Sequence, residues 1–241
     1  MPPAGGIASG IESGNTFMDI LTILVQWGPY LLGGIAVTIG LVASALAIGF
    51  VLGLSIALGQ VYGSRPLRSI AAVYVWFFRG LPILVLLFLF YFGIFPLLGL
   101  DFPAFVVGAV VLGLRGAAYQ SQIFRGAIQS VAEGQMTAAL SLGMTPWMAV
   151  KTVILPQALR ISLPGWSNEY PEILTDSAVC YAIGVMELLT RTSQIVSQTY
   201  VTMPVYIACA CIFILLNYAG MQVIMKVEEK FAIPGFGVKT G

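Results

Sequence analysis

Histidine is absent from all 241 residues, and Asp, Glu, Lys and Arg together make up only 9% of them. A chain without histidine lacks the usual ligand of a catalytic zinc and the usual base of a Ser-His-Asp triad, so it is read as non-enzymatic, with no metal site. Cysteine is nearly as scarce. Cys180, Cys209 and Cys211 all lie inside apolar runs, where a thiol behaves as a small hydrophobe rather than as half of a disulfide. The formal net charge is +1, which offers no field to nucleic acid or to an acidic partner. A phosphate-binding G-x-x-x-x-G-K-[ST] loop is missing too: the nearest stretch, Gly235-Phe236-Gly237-Val238-Lys239-Thr240, has valine in place of the glycine before lysine. Residues 1–15 contain no Lys or Arg, so they lack the basic region of a cleavable signal peptide. Residues 1–28 are read as an extracytoplasmic lead.

What the chain has in abundance is apolar surface, with 59% hydrophobic residues; a soluble domain, by contrast, is about a quarter charged. The class is an all-α integral membrane protein. A membrane-spanning helix needs about 20 apolar residues, and five runs qualify, at about 30–58, 69–98, 103–124, 163–189 and 203–225. Trp27-Gly28-Pro29 ahead of the first combines an interfacial aromatic with a helix-starting proline. The second carries Arg79, Gly80 and Pro82 early. Residues 17–27, apolar around much of a helix but too short to span, either lie along the outer membrane surface or pack against the first span. A transmembrane domain at 29–225 is thus followed by a tail at 226–241.

Lys and Arg are unevenly distributed between the two sides. Arg65 and Arg68 follow the first span, Arg125, Lys151 and Arg160 the third, and Lys226, Lys230 and Lys239 the fifth. The opposite side, made of the lead, the 95–101 turn and the 191–202 loop, offers only Arg191. Cytoplasmic loops carry the excess of basic residues, so the N-terminus is expected outside and the C-terminus in the cytosol.

Residues 126–160 are the only long connection that is not itself a span. Met136, Ala139, Leu140 and Gly143 recur at helical spacing and make a narrow face of apolar and small residues. Gly143 is placed to end that helix in the left-handed conformation. Thr145-Pro146-Trp147 restarts one, with threonine as N-cap and proline at the first helical position; the second helix is expected to stop at Pro156. Lys151 is the only cation on this hairpin, whereas membrane-surface helices are rich in Lys and Arg. A protein-docking surface therefore explains it better than headgroup binding.

Thr137-Ala138-Ala139, Gly143 and Val153-Ile154-Leu155-Pro156 resemble the EAA loop of permease subunits of ABC importers. Phe78-Arg79-Gly80-Leu81-Pro82, Arg125-Gly126-Ala127-Ile128-Gln129-Ser130-Val131, Gly134-Gln135, Pro156-Gln157-Ala158-Leu159-Arg160 and Asn168-Glu169 resemble, in order, motifs of the polar amino-acid subfamily. The resemblance covers about residues 30–225. It implies five spans with a cytoplasmic two-helix coupling loop between the third and fourth. Thr137, Ala138, Ala139, Gly143, Pro146, Trp147, Leu155 and Pro156 would then serve coupling to an ATPase. It also implies two ATP-binding cassette subunits carrying the ATP and Mg, a second permease (identical or paralogous), a solute-binding protein outside and an amino-acid substrate, in the cytoplasmic membrane. Three positions depart from the family pattern: Thr137 and Gln122 stand where glutamates are usual, and Thr175 where a lysine is usual.

Ionisable groups at bilayer depth are expensive and mark function by default. Arg115 lies about 18 Å down the third span and Asp176 about 20 Å up the fourth, both near the midplane. They are expected either to close the bundle as an internal salt bridge or to bind the carboxylate and ammonium of a substrate. Glu172 and Glu169 lie closer to the cytosol on the same helix, with Pro171 beside them, and the extra carboxylates lean toward a cationic amino acid. Arg79 and Asn168 are read as gate residues. Gly49 and Gly53 in the first span permit close helix approach, more readily within one subunit than at a dimer seam. A self-contained secondary transporter or channel is the alternative; it would require inverted repeats, and the two halves of the sequence share no such pattern.

Overall fold

The computed structural model describes residues 16–231; residues 1–15 of the lead and 232–241 of the tail lie outside it. Helix α1 is Thr16–Tyr62, α2 Arg65–Gly80, α3 Ile83–Phe88, α4 Phe95–Leu97 and α5 Ala104–Ser130. They are followed by α6 Glu133–Ser141, α7 Pro146–Ala149, α8 Leu155–Ser167, α9 Glu169–Ser177, α10 Leu188–Thr199 and α11 Thr202–Phe231. No strand occurs among the described residues, as expected where hydrocarbon leaves every backbone group to be satisfied within its own segment. Residues 16–27 continue into the first span with no break, Pro29 being carried inside the helix.

Among the described residues, only α1, α5 and α11 are single helices long and apolar enough to cross a membrane. The second predicted span is two helices bent by 109° between Gly80 and Ile83. The cause is local: Leu81 precedes a proline, which pushes it out of the helical region, and it is extended at φ −107°, ψ 141°. The sequence reading of 69–98 as one helix is corrected on this point.

The register of helix contacts fixes how often the chain crosses. Gly40 lies against Phe105, Gly113 against Ile48 and Gly53 against Ser121, so positions advance together and α1 and α5 run parallel. Two parallel helices require the chain between them to return once; the bent α2–α4 unit therefore counts as a crossing, not as a re-entrant loop. From α5 onward the pairing reverses: Gly165 lies against Ile123 and Gly108 against Cys180, and the Trp166 indole N–H donates to Gln120 Oε1 at 2.8 Å. Helices α8 and α9 are thus antiparallel to α5. Trp27 and Leu31 pack with Val205 and Cys209, and Ile39 to Leu46 face Leu216 to Val223, so α11 is again parallel to α1. The sum is five alternating crossings, with α1 and α5 as the central pair. Gly49 and Gly53 serve that packing: a Cβ at Gly53 would stand 3.1 Å from the Ala117 carbonyl oxygen, so the small pair seats α5 within the subunit.

Two prolines leave the same signature. Pro96 and Pro156 each follow a stretch of π-helix, Leu89–Ile94 and Val150–Ile154, in which Phe95 and Leu155 donate to the carbonyls of Phe90 and Val150. Proline lacks the N–H for the residue four back and clashes with its carbonyl; a wider i→i+5 turn absorbs the mismatch without ending the helix. Pro156 therefore does not stop the second hairpin helix, as the sequence suggested. The helix passes through it into α8.

Beyond α9 a 3₁₀ stretch, Ala178–Ile183, ends at Gly184 with φ 82°, and α10 starts on Glu187. That carboxylate is fully buried and accepts from the N–H groups of Leu189 at 2.7 Å and Thr190 at 2.6 Å. The Leu188 N–H donates to Thr38 Oγ1, and Arg191 Nη1 donates to the Tyr30 carbonyl at 2.9 Å. So most of the 191–202 segment read as a loop is helix, clamped to the start of α1. Glu187→Ala is expected to cost about 1–2 kcal/mol through the lost cap, lowering the thermal midpoint of the detergent-purified protein without changing its helix content.

Candidate functional site: a charged cluster between α5 and α9

Glu169, Glu172 and Asp176 recur at three- and four-residue spacing and so share one face of α9. Opposite them α5 presents Arg115. Its Nη1 donates to Asp176 Oδ2 in a very short contact, and its Nη2 stands 3.8 Å from Glu172 Oε1. The Arg115 and Asp176 side chains are each 17% exposed, that of Glu172 46%. Glu169 is buried and faces the charges of Glu172, Arg115, Arg79 and Asp176. Two guanidiniums thus face three carboxyl groups. The Arg115 Nε–H finds no acceptor among the described residues.

A tyrosine that the sequence reading did not single out completes the cluster. The Tyr119 ring centroid lies 4.8 Å from the guanidinium carbon of Arg79 and 5.0 Å from that of Arg115, so one aromatic ring serves two cations. The i, i+4 step from Arg115 to Tyr119 on one helix was available as a signal; the arrival of Arg79 was not, since it depends on the bend at Leu81. Arg79 therefore joins the central cluster. Asn168 does not: its Nδ2 donates to the Pro164 carbonyl at 3.4 Å at the α8–α9 junction. The break there has a cause nearby, because Pro171 has no N–H to offer the Ser167 carbonyl.

The hairpin between α5 and α8 forms largely as its residues direct. Gly143 takes φ +81°; its N–H donates to Leu140 O at 3.0 Å and the Met144 N–H to Ala139 O at 3.2 Å, the double bond of a Schellman C-cap. Thr145 Oγ1 accepts from the Met148 N–H at 3.3 Å, with Pro146 at the first helical position. Ala139 turns inward, and the tip exposes Leu142 at 79% and Trp147 at 61%. Thr137 is solvent-facing and its hydroxyl donates to the Glu133 carbonyl at 3.3 Å, so it remains within its own helix; Ala138 is exposed beside it. Gln122 donates to Gln60 Oε1 at 3.1 Å across α5 and α1, and Thr175 to the Pro171 carbonyl at 2.9 Å.

Residues 49–231 match the family described as the inner membrane component of binding-protein-dependent transport systems. The chain is 38% identical over 191 residues to a probable amino-acid ABC transporter permease protein, YckA, of Bacillus subtilis (strain 168), covering 79% of this chain and 84% of that one. It is 32% identical to the octopine transport system permease protein OccQ of Rhizobium meliloti, covering 85% and 91%. Among solved structures it is similar to an amino acid ABC transporter crystallised with histidines, at 33% identity and TM-score 0.79, covering 91% of this chain and all of that one. The MetNI methionine ABC transporter, at 20% identity and TM-score 0.72, shares the fold.

Proposed function

The chain belongs to the family of binding-protein-dependent transport system inner membrane components, and from that premise we propose how its charged cluster and its hairpin work. It is the permease subunit of an amino-acid ABC importer, a membrane protein that hydrolyses no ATP itself. In our reading the cluster between α5 and α9 is where the amino acid passes. The observation that supports this is the Arg115–Asp176 ion pair flanked by further carboxyl groups and by a guanidinium N–H without an acceptor among the described residues, since charges merely closing a bundle would balance. The substrate carboxylate is taken by Arg79 and the free Nε–H of Arg115, and its cationic groups by Glu172 and Glu169. The surplus of carboxyl groups over guanidiniums favours a cationic amino acid. Arg79 stands at the bend of the second crossing, so a substrate that draws it off the Tyr119 ring also moves α2 against α3.

The hairpin of α6 and α7 docks on the ATP-binding subunits. Its exposed Leu142 and Trp147, at the tip of an extramembrane turn, support a protein partner rather than water. Arg65, Arg68, Arg125, Lys151, Arg160 and Lys226 cluster at the end of the bundle where this hairpin lies, and that basic excess supports a cytosolic position for that end, with Arg191 outside. Each cycle of ATP-driven closure, with a second permease completing the path and a solute-binding protein delivering substrate, alternates access to the cluster.

The test is uptake of labelled amino acids by the assembled transporter in proteoliposomes. Glu172→Gln is expected to lower uptake of a cationic amino acid about tenfold or more, the scale of one lost charge-assisted hydrogen bond of about 1.5–3 kcal/mol, and to spare a neutral one. Equal losses for both would refute the charge-selection reading.

A further inference from the structure

The back of α9 carries a second feature. Tyr170 and Leu174 lie roughly 150° round α9 from the mean direction of Glu169, Glu172 and Asp176, at 100° per residue, and with Trp166 at the end of α8 they look away from the charged cluster. They form the floor of a cavity of about 370 Å³ whose walls are Ile39 to Leu46 of α1 and Leu216 to Ile224 of α11. Its rim residues Ile39 and Val223 are exposed, so the cavity is a groove open on the outside of the bundle. Tyr170 crosses the groove: its ring fills the place of a side chain at Gly220, and its hydroxyl donates to the Leu216 carbonyl at 2.7 Å. With that hydroxyl satisfied and the rest of the lining almost entirely apolar, nothing in the groove holds water, because a buried water needs two to four polar partners. An apolar groove opening into a bilayer fills with hydrocarbon.

The stripe of α11 that forms the wall continues past the groove. Residues 216, 219, 220, 223 and 224 recur at helical spacing, and Val227 and Lys230 extend the same stripe. Lys230 lies about 10 Å beyond Val223 along the axis, at the end of the bundle that gathers the basic residues, and Lys226 flanks it; both are exposed. Of the acidic neighbours, Glu228 accepts from the Ser167 hydroxyl at 3.1 Å, and Glu229, one turn on from Lys226, forms no ion pair with either lysine among the described residues. An apolar slot ending in two lysines is complementary to a lipid with an anionic headgroup.

We propose that the groove between α1, α9 and α11 binds one acyl chain of an anionic phospholipid whose headgroup is held by Lys226 and Lys230. The chain rests on Tyr170, next to Glu169, so lipid occupancy supports the helix that carries the carboxylates from behind. This site needs no substrate and no nucleotide.

The experiment places the assembled transporter in phosphatidylcholine nanodiscs doped with a phosphatidylglycerol bearing a diazirine on its acyl chain, with labelled peptides mapped by mass spectrometry. Labelling is expected to concentrate on peptides holding Tyr170 and Leu216 to Val223, and to be competed several-fold better by unlabelled phosphatidylglycerol than by phosphatidylcholine. Ala219→Phe, which fills the slot, is expected to abolish that labelling. Lys230→Gln, a surface change that leaves the fold intact, is expected to abolish the headgroup preference while acyl labelling persists. Labelling spread evenly over the outer face of α11, at Ile214 and Tyr218 as much as in the groove, would mean bulk lipid only and overturn the site. Equal competition by the two lipids would overturn it too, and so would crosslinking of Val223 to a second permease copy. None of these readouts depends on transport, so they remain interpretable if the substrate reading fails.

Discussion

Arg115→Met is expected to be among the most destabilising single changes in this protein, by about 3–5 kcal/mol, because it leaves the Asp176 carboxylate buried and unpaired. The pair itself contributes little net stability, since two charges must be desolvated to form it. The double variant Arg115→Met/Asp176→Leu should therefore recover most of the loss. Transport should not recover with it, because the groups proposed to meet the substrate are gone. Thermal midpoints of the purified variants and uptake by the reconstituted transporter separate the two effects. A double variant that is both stable and active would reduce the pair to a structural bolt and refute its role in the path.

Gly143→Val is expected to uncouple the transporter while leaving the membrane bundle intact. At φ +81° a β-branched residue is strained by about 1–2 kcal/mol. The relief available is to unmake the Schellman bonds and change the angle between α6 and α7. An energy of that size changes an equilibrium by a factor of roughly 5–30, and substrate-stimulated ATP hydrolysis by the complex should fall on that scale. Gly143→Asn is the control, because asparagine tolerates the left-handed region; it should retain most coupling. Unchanged stimulation in the valine variant would remove the hairpin from the coupling path.

The hairpin was legible because each of its instructions is local. A glycine two residues before a Thr-Pro pair sets a C-cap and the next N-cap within one turn of chain, and the structure has both. The carboxylate stripe at 169, 172 and 176 was equally legible, since helical spacing alone puts it on one face. The stop at Pro156 was misread because proline breaks a helix only where the backbone cannot widen. A five-residue π stretch, Val150–Ile154, took up the missing N–H. The 191–202 segment was misread for want of hydrophobicity: α10 is polar on much of its surface, and its stability comes from the buried Glu187 cap and the clamp of Arg191 on Tyr30.

By itself, then, the sequence determined a helical membrane protein, its number of crossings, the hairpin and the identity of the costly charges, because apolar run length, capping chemistry and the expense of ionisable groups in hydrocarbon act over a few residues each. Only the tertiary structure decided that Arg115 takes Asp176 as its partner, that Tyr119 is stacked by two arginines, and that an apolar groove lies behind α9. Those results depend on the direction in which distant helices run past one another and on the 109° bend at Leu81. The first is specified by no one window of sequence and comes from packing α5 against the small residues of α1; the second is set locally by Leu81-Pro82, but what it brings Arg79 against is decided by that packing.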